Sequence, residues 1–125
     1  PISTIASLIE SPLKFGLLYA GSDDGNVWVS KNGGGDWQNI TAGLPENRWV
    51  SSVFASPHEE GTVFVSLNGY RNDEFKTYLY KSSDYGKTWN SIKGNLPESV
   101  ANVIIQDPVN ADILYCGLDN GTYVS

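Results

Sequence analysis

The chain has 125 residues, with 8 Lys plus Arg against 14 Asp plus Glu, a formal charge of −6 and a pI near 4.5. That is one domain's length, and an acidic surface of this kind repels phosphate backbones and anionic membranes, so no nucleic-acid partner is expected. A single cysteine, Cys116, and a single histidine, His58, exclude an internal disulfide and a multi-histidine metal centre, and no apolar run approaches the roughly 20 residues that span a bilayer.

In chain order, the first predicted element is an apolar run closed by proline, Ser7-Leu8-Ile9-Glu10-Ser11-Pro12. Proline cannot donate to a sheet ladder, so this run reads as a strand, A, with a turn behind it. A second strand, B, passes through Tyr19, seven residues after Pro12. After Gly21-Ser22-Asp23-Asp24-Gly25 comes a third strand, C, ending Trp28-Val29-Ser30. The Gly-rich turn Ser30-Lys31-Asn32-Gly33-Gly34-Gly35-Asp36-Trp37 leads to a short fourth strand, D, and then to Leu44-Pro45-Glu46.

The same order then returns. Ser52-Val53-Phe54-Ala55-Ser56-Pro57 is followed by Phe64 at the same seven-residue distance, by Tyr80-Lys81-Ser82, by a turn closing on Trp89 and by Leu96-Pro97-Glu98. Val103-Ile104-Ile105-Gln106-Asp107-Pro108 begins a third round, with Tyr115 seven residues on and Tyr123-Val124-Ser125 as its third strand. The prolines Pro12, Pro57 and Pro108 stand 45 and 51 residues apart, and the difference lies in a seven-residue insertion between B and C of the second copy, around Tyr70 to Lys76.

A four-stranded unit at a period of 45 to 50 residues has the size of a β-propeller blade. The expectation is an all-β chain: a propeller segment of about two and three-quarter four-stranded antiparallel blades, part of a larger ring of about seven. Blade one spans 1–43, blade two 44–95 and an incomplete blade three 96–125. A blade buries its two faces against neighbours. The segment should therefore pair with the remaining blades of a parent chain or self-associate through exposed blade faces. The start at Pro1 and the absence of Met fit a processed product or an excised fragment.

Ser82-Ser83-Asp84-Tyr85-Gly86-Lys87-Thr88-Trp89 follows Ser-x-Asp-x-Gly-x-Thr-Trp and resembles the Asp-box of the bacterial neuraminidase repeat. The structural set is Ser82, Asp84, Gly86, Thr88 and Trp89, with Ser30, Asn32, Gly34 and Trp37 in a first copy that departs from it through Asn32 and Asp36. With the Leu-Pro and Asp-Pro punctuation, the chain is similar to Asp-box propellers of the sortilin and xyloglucanase types. The resemblance implies an extracytoplasmic or secreted setting and a carbohydrate or protein ligand. The box itself is explained as a turn: glycine for positive φ, a short acceptor for turn N–H groups, and a Trp buried as its anchor.

Residues that recur in every copy are assigned to packing, which leaves the irregular ones as candidate chemistry. Alternating strand direction puts the A–B and C–D connections on one rim and the B–C and D–A connections on the other. The second rim gathers Arg48 and Trp49 with the insertion residues Tyr70, Arg71, Asp73 and Glu74. Arginine forks bind carboxylates and aromatic faces stack on sugars, so this is the candidate binding face; the alternative is an ordered insertion whose Arg71 pairs with Asp73 or Glu74. The xyloglucanase resemblance carries a catalytic aspartate onto Asp23 or Asp119, both of which also fit ordinary hairpin turns. Two arginines cannot make a sialidase arginine triad. No cofactor or metal is implied, His58 is expected as a solvated loop residue, and Cys116 as a small buried apolar group.

Overall fold

In a computed structural model, residues 5–69 and 76–124 are described, with the side chains of residues 5 and 6 excepted, and they form an all-β structure. Three antiparallel sheets follow one another along the chain. The first comprises β1 (Ile5–Glu10), β2 (Leu18–Ser22), β3 (Val27–Ser30) and β4 (Gln38–Asn39). The second comprises β5 (Trp49–Ala55), β6 (Val63–Asn68), β7 (Tyr78–Ser82) and β8 (Asn90–Ser91). The third holds β9 (Ala101–Gln106), β10 (Leu114–Leu118) and β11 (Gly121–Val124), without a fourth strand among the described residues. Each sheet runs in sequence order, and its first strand packs on the first two strands of the sheet before it. This is the blade succession of a propeller segment.

Register explains which side chains meet. On β6, Val63, Val65 and Leu67 point to blade one, where they join Tyr19, Val27, Ile40 and Leu44, whereas Phe64 points to blade three and joins Leu79, Ala101, Ile104 and Cys116. The strand is buried at every position because the middle blade is covered on both faces. Each large side chain so covered contributes about 1.5–3 kcal/mol.

Equivalent positions also reveal where cover is absent. Leu8, Val53 and Ile104 hold the same place in the first strand of each blade, yet Leu8 is 56 % exposed while Val53 and Ile104 are 5 % and 1 % exposed. Among the described residues, a blade lies in front of Val53 and Ile104 and none in front of Leu8. The outward aromatic of β10, Tyr115, is half-exposed, where its counterparts Tyr19 and Phe64 are buried. Among the described residues, Tyr115 has no blade packed on its outward face, whereas Tyr19 and Phe64 do.

Polar bonds repeat across the blade junctions as well. The Val53 N–H donates to Ser7 Oγ at 3.2 Å, and the Ile104 N–H donates to the equivalent Ser52 Oγ at 3.2 Å. His58 is not a solvated loop residue: its Nε2 lies 2.7 Å from the Asp107 carbonyl, beside a 2.6 Å bond from Ser56 Oγ to Gln106 Oε1. Cys116 is buried, as expected, and burial pushes its thiol pKa up.

The two C–D turns share one hydrogen-bond pattern. Ser82 Oγ accepts from the Gly86 N–H at 2.8 Å, and Asp84 accepts from the Thr88 N–H at 2.9 Å and from Thr88 Oγ1–H at 2.6 Å. In the first turn, Ser30 Oγ accepts from the Gly34 N–H at 2.8 Å, Asn32 Oδ1 accepts from the Asp36 N–H at 2.9 Å, and Asn32 Nδ2 donates to Asp36 Oδ2 at 2.7 Å. The substitutions that set this copy apart are complementary: the carboxylate has moved from the third position of the turn to the seventh, and the side-chain donor from the seventh to the third. Trp89 is buried as expected, but Trp37 is only half-buried, with no preceding blade to cover it among the described residues.

Candidate functional site

Strand alternation dictates that the B–C and D–A connections meet, and local bonds tie them together. The Val27 N–H donates to Thr41 Oγ1 at 2.9 Å, and the Gly25 Cα stands against the backbone of Asn47 and Arg48 so closely that an added Cβ would fall 2.8 Å from the Arg48 carbonyl. In blade two, Thr77 Oγ1 donates to the Pro97 carbonyl at 2.6 Å and accepts from the Ser99 N–H at 2.9 Å. In blade three, the Asp119 N–H donates to the Val100 carbonyl at 3.0 Å.

Each sequence-derived candidate can be placed on this rim. Arg48 is half-buried; its Nη1 donates to the Glu46 carbonyl at 3.0 Å, and its guanidinium carbon lies 6.0 Å from the centre of the Tyr78 ring. Trp49 opens β5, half-buried, in register with Asn68 at the end of β6. Tyr70, Arg71, Asp73 and Glu74 lie outside the described residues. Asp23 is half-buried in the turn after β2, and its neighbour Asp24 accepts from Ser22 Oγ–H and, at 3.1 Å, from Asn26 Nδ2–H. These bonds, Ser22 first, hold the Asp24 carboxyl below its ordinary pKa. Asp119 Oδ1 accepts from Asn102 Nδ2–H at 2.8 Å.

Two of these residues come together. Trp49, Asn68, Val100, Asn102 and Asp119 line a recess of about 310 Å³ at the junction of blades two and three. A second hollow of about 340 Å³, with Asp24, Asn26, Thr41, Glu46 and Asn47 in its wall, lies on the same rim at blade one. Asp23 belongs to blade one and Asp119 to blade three, at equivalent positions of different sheets. Asn68 and Asn102 were missed by sequence reasoning. Counting four residues on from Tyr19, Phe64 and Tyr115 gives Asp23, Asn68 and Asp119, so the repeat itself held the signal for Asn68; Asn102 stands where blade two has Ser51 and carried none.

The recess offers an indole, two amides and a carboxylate. The amides and carboxylate form hydrogen bonds with hydroxyl or peptide groups, and the indole covers a flat apolar face. Among the described residues, no group of three or more His, Cys, Asp or Glu side chains could hold a metal ion. Among the described residues, hydrogen bonds and ion pairing hold the carboxyl groups of Asp24, Asp84, Glu98 and Asp107 below their ordinary pKa.

Comparison with known proteins gives the same architecture. No family profile matches the chain. It is 28 % identical over 94 residues to sortilin of Rattus norvegicus, and 26 % identical over 102 residues to an oligoxyloglucan-reducing end-specific xyloglucanase of Emericella nidulans. These matches cover 74 % and 78 % of the chain but only 10 % and 12 % of the two relatives, so the chain spans about a tenth of their length. Among solved structures, an ancestral GH74 enzyme superposes with a TM-score of 0.76 at 16 % identity, over 97 % of this chain and 17 % of that one. YCF48 from Cyanidioschyzon merolae superposes with a TM-score of 0.70 at 17 % identity, over all of this chain and 35 % of that one, and a YCF48 bound to D1 peptide does so at 0.72, with 14 % identity over 98 % and 38 %. The likeness establishes a β-propeller fold.

Proposed function

We propose that this chain is a stretch of an Asp-box β-propeller that acts in ligand binding through the rim formed by its B–C and D–A connections. The observation that carries this reading is the convergence of Trp49 with Asp119, Asn68 and Asn102 around one recess between two blades. A stacking surface beside hydrogen-bonding groups suits a ligand with flat faces and polar edges, a carbohydrate or an extended peptide. Arg48 shapes the neighbouring loop, and Tyr70, Arg71, Asp73 and Glu74, outside the described residues, remain proposed ligand contacts on the strength of their side-chain chemistry. The peptide bound by a YCF48 propeller of like fold supports a protein ligand, and the resemblance to xyloglucanases supports a carbohydrate. The Ser-x-Asp-x-Gly-x-Thr-Trp turns belong in this reading to the scaffold, on the opposite rim.

A second reading, a fragment of a propeller glycoside hydrolase, draws on the same xyloglucanase resemblance and assigns a catalytic role to Asp119 or Asp23. Hydrolysis uses an acid with a raised pKa opposite a second carboxylate roughly 5 to 9.5 Å away. The two are separated by titrating the protein with xyloglucan oligosaccharides while following backbone NMR shifts and released reducing sugar. Binding without release, abolished by Trp49→Ala in a folded protein, is the expected result. Release of sugar that Asp119→Asn removes would install the hydrolase reading, and shifts unaffected by Trp49→Ala would clear the recess of a role.

A further inference from the structure

The junction of blades one and two carries a charged pocket on the rim of the A–B and C–D turns. Lys14, Leu17, Lys31, Glu60 and Tyr85 line a space of about 210 Å³, so that both such turns of each blade contribute a charged or phenolic side chain. The Tyr85 hydroxyl donates to Glu60 Oε2, Lys14 Nζ stands 4.0 Å from the same oxygen, and Lys31 Nζ lies 4.7 Å from the centre of the Tyr85 ring. Among the described residues, no carboxylate pairs with Lys31. In a chain of net charge −6, this pocket sets two ammonium groups against one carboxylate.

Beneath the pocket lies a polar group with nothing to bond. Leu17, just before β2, and Tyr19 on that strand are both fully buried in the cluster on which Tyr85 packs. Among the described residues the Tyr19 hydroxyl has no hydrogen-bond partner. Burial above all, then the nearby Tyr85 and Glu60, push its pKa up, so it stays a donor at neutral pH. Packing does not call for this hydroxyl, because Phe64 fills the same place in blade two without one, and a buried donor left unpaired is costly. Moved one blade on, Lys14, Leu17, Lys31 and Glu60 become Glu59, Thr62, Ser83 and Ala111. Neither the ammonium groups nor the Glu60 carboxylate recur, so the pocket is not part of the packing repeat. Tyr85 also departs from its counterpart: it holds a φ of +62° where blade one has Gly33 at +73°, a strain that glycine would avoid.

We propose that this pocket binds a carboxylate carried by a peptide, on an acidic side chain or at a C-terminus: Lys31 and Lys14 pair with its charge, the Tyr19 hydroxyl donates to it from below, and Leu17 and the Tyr85 ring enclose its stem. Ammonium groups and the buried phenol supply donors, while the carboxylate already in the wall is engaged by Tyr85 and Lys14, so the constellation lacks an acceptor. One added carboxylate brings the two lysines and Glu60 to neutrality. A volume below the roughly 300–1,000 Å³ of pockets for drug-sized ligands suits a single side chain or chain end. The Ser-x-Asp-x-Gly-x-Thr-Trp turns then serve twice: their fixed residues hold each hairpin, and their variable positions present Lys31 and Tyr85. This site lies on the rim opposite the Trp49 recess and does not depend on that recess binding anything.

The test is a calorimetric titration of the chain at low ionic strength with three acetylated peptides: Gly-Gly-Glu-Gly-Gly closed by an amide, Gly-Gly-Gly-Gly-Gly with a free C-terminus, and Gly-Gly-Gln-Gly-Gly closed by an amide. At least one of the two carboxylate peptides should bind saturably, with Kd in about the millimolar range and weaker as salt is raised, and the neutral one should not bind. Which of the two binds identifies the source of the carboxylate. Lys31→Ala removes an exposed side chain, and Tyr19→Phe installs the residue blade two already uses, so both variants should fold, with Tm for Tyr19→Phe equal to or above that of the parent. Each should weaken binding by about tenfold or more. Binding that needs the carboxylate and falls in both variants sustains the proposal. Absence of saturable binding by either carboxylate peptide, equal binding of the neutral peptide, or an affinity unchanged in either variant overturns it.

Discussion

The indole of Trp89 donates its N–H to the carbonyl of Ile40, 49 residues earlier, and so joins the end of one blade's hairpin to the loop that leaves the blade before. This contact is the unit from which the segment is built: a turn that is local in sequence places an aromatic that is long-range in effect. Trp37 makes the corresponding turn in blade one with no blade to receive it. Trp89→Ala is therefore expected to cost about 3–5 kcal/mol, as for other buried large aromatics, and Trp37→Ala less than half of that. Equal losses in denaturant unfolding would show that the turn, and not the blade junction, is what the tryptophan stabilises.

Gly86 sits at φ +87° against blade one, and a Cβ there would meet Ile40 Cδ1 at 2.3 Å. Gly34 has a similar φ of +97°, but its nearest neighbours are at 3.7 Å. Both positions strain an L-residue by about 1 kcal/mol or more, and only the first adds a steric clash. Gly86→Ala should lower Tm by several degrees more than Gly34→Ala.

The exchange between Asn32 and Asp36 in one turn, and Asp84 and Thr88 in the other, can be tested as a cycle. Asn32→Asp alone brings two carboxylates to the spacing now held by a 2.7 Å hydrogen bond. It should destabilise at neutral pH and recover on acidification. Asn32→Asp combined with Asp36→Thr recreates the second turn and should restore stability, giving a coupling energy of about 1 kcal/mol or more in the double-mutant cycle. Additive losses would mean that the two side chains do not act as a unit.

Acid should weaken the fold in a defined window. Hydrogen bonds from Thr88 above all, and from Ser82, hold the Asp84 carboxyl at a pKa of about 2, below the ordinary aspartate value. A folded-state pKa below the unfolded one contributes stability that is complete above the unfolded value and is lost as pH falls through the folded one. The loss from this group thus runs from about pH 4 down to about pH 2. Asp107, bonded chiefly by the Asn110 and Val109 N–H groups and also by Tyr115, is lowered in the same sense. Melting curves between pH 5 and 2 should show Tm falling, with a shallower fall in Asp84→Asn. An Asp84→Asn profile parallel to that of the parent would remove the turn from the account.

What could be read from sequence is what short-range chemistry controls. The proline-to-aromatic spacing of seven, the aromatic-x-Ser ends of the third strands and the glycines of the C–D turns specify strand lengths and hairpins within each copy, and a period near 45 to 50 residues specifies a blade. Burial is different in kind, since it is decided by whatever packs on a face. Leu8, Val53 and Ile104 are interchangeable in pattern and differ in exposure because only two of them have a blade in front. The same holds for Trp37 and Trp89, and for Tyr115 beside Tyr19 and Phe64. His58 looked like a loop residue because its partner, the Asp107 carbonyl, is supplied by the next blade. The recess likewise unites Trp49 with Asp119, two candidates assigned to separate roles in sequence, because stacking brings the end of one blade's second strand to the start of its neighbour's first. Local hydrogen bonding and turn geometry write the blade into the chain; the burial of one blade by another, which no single repeat contains, decides which copy of a residue becomes core, junction or rim.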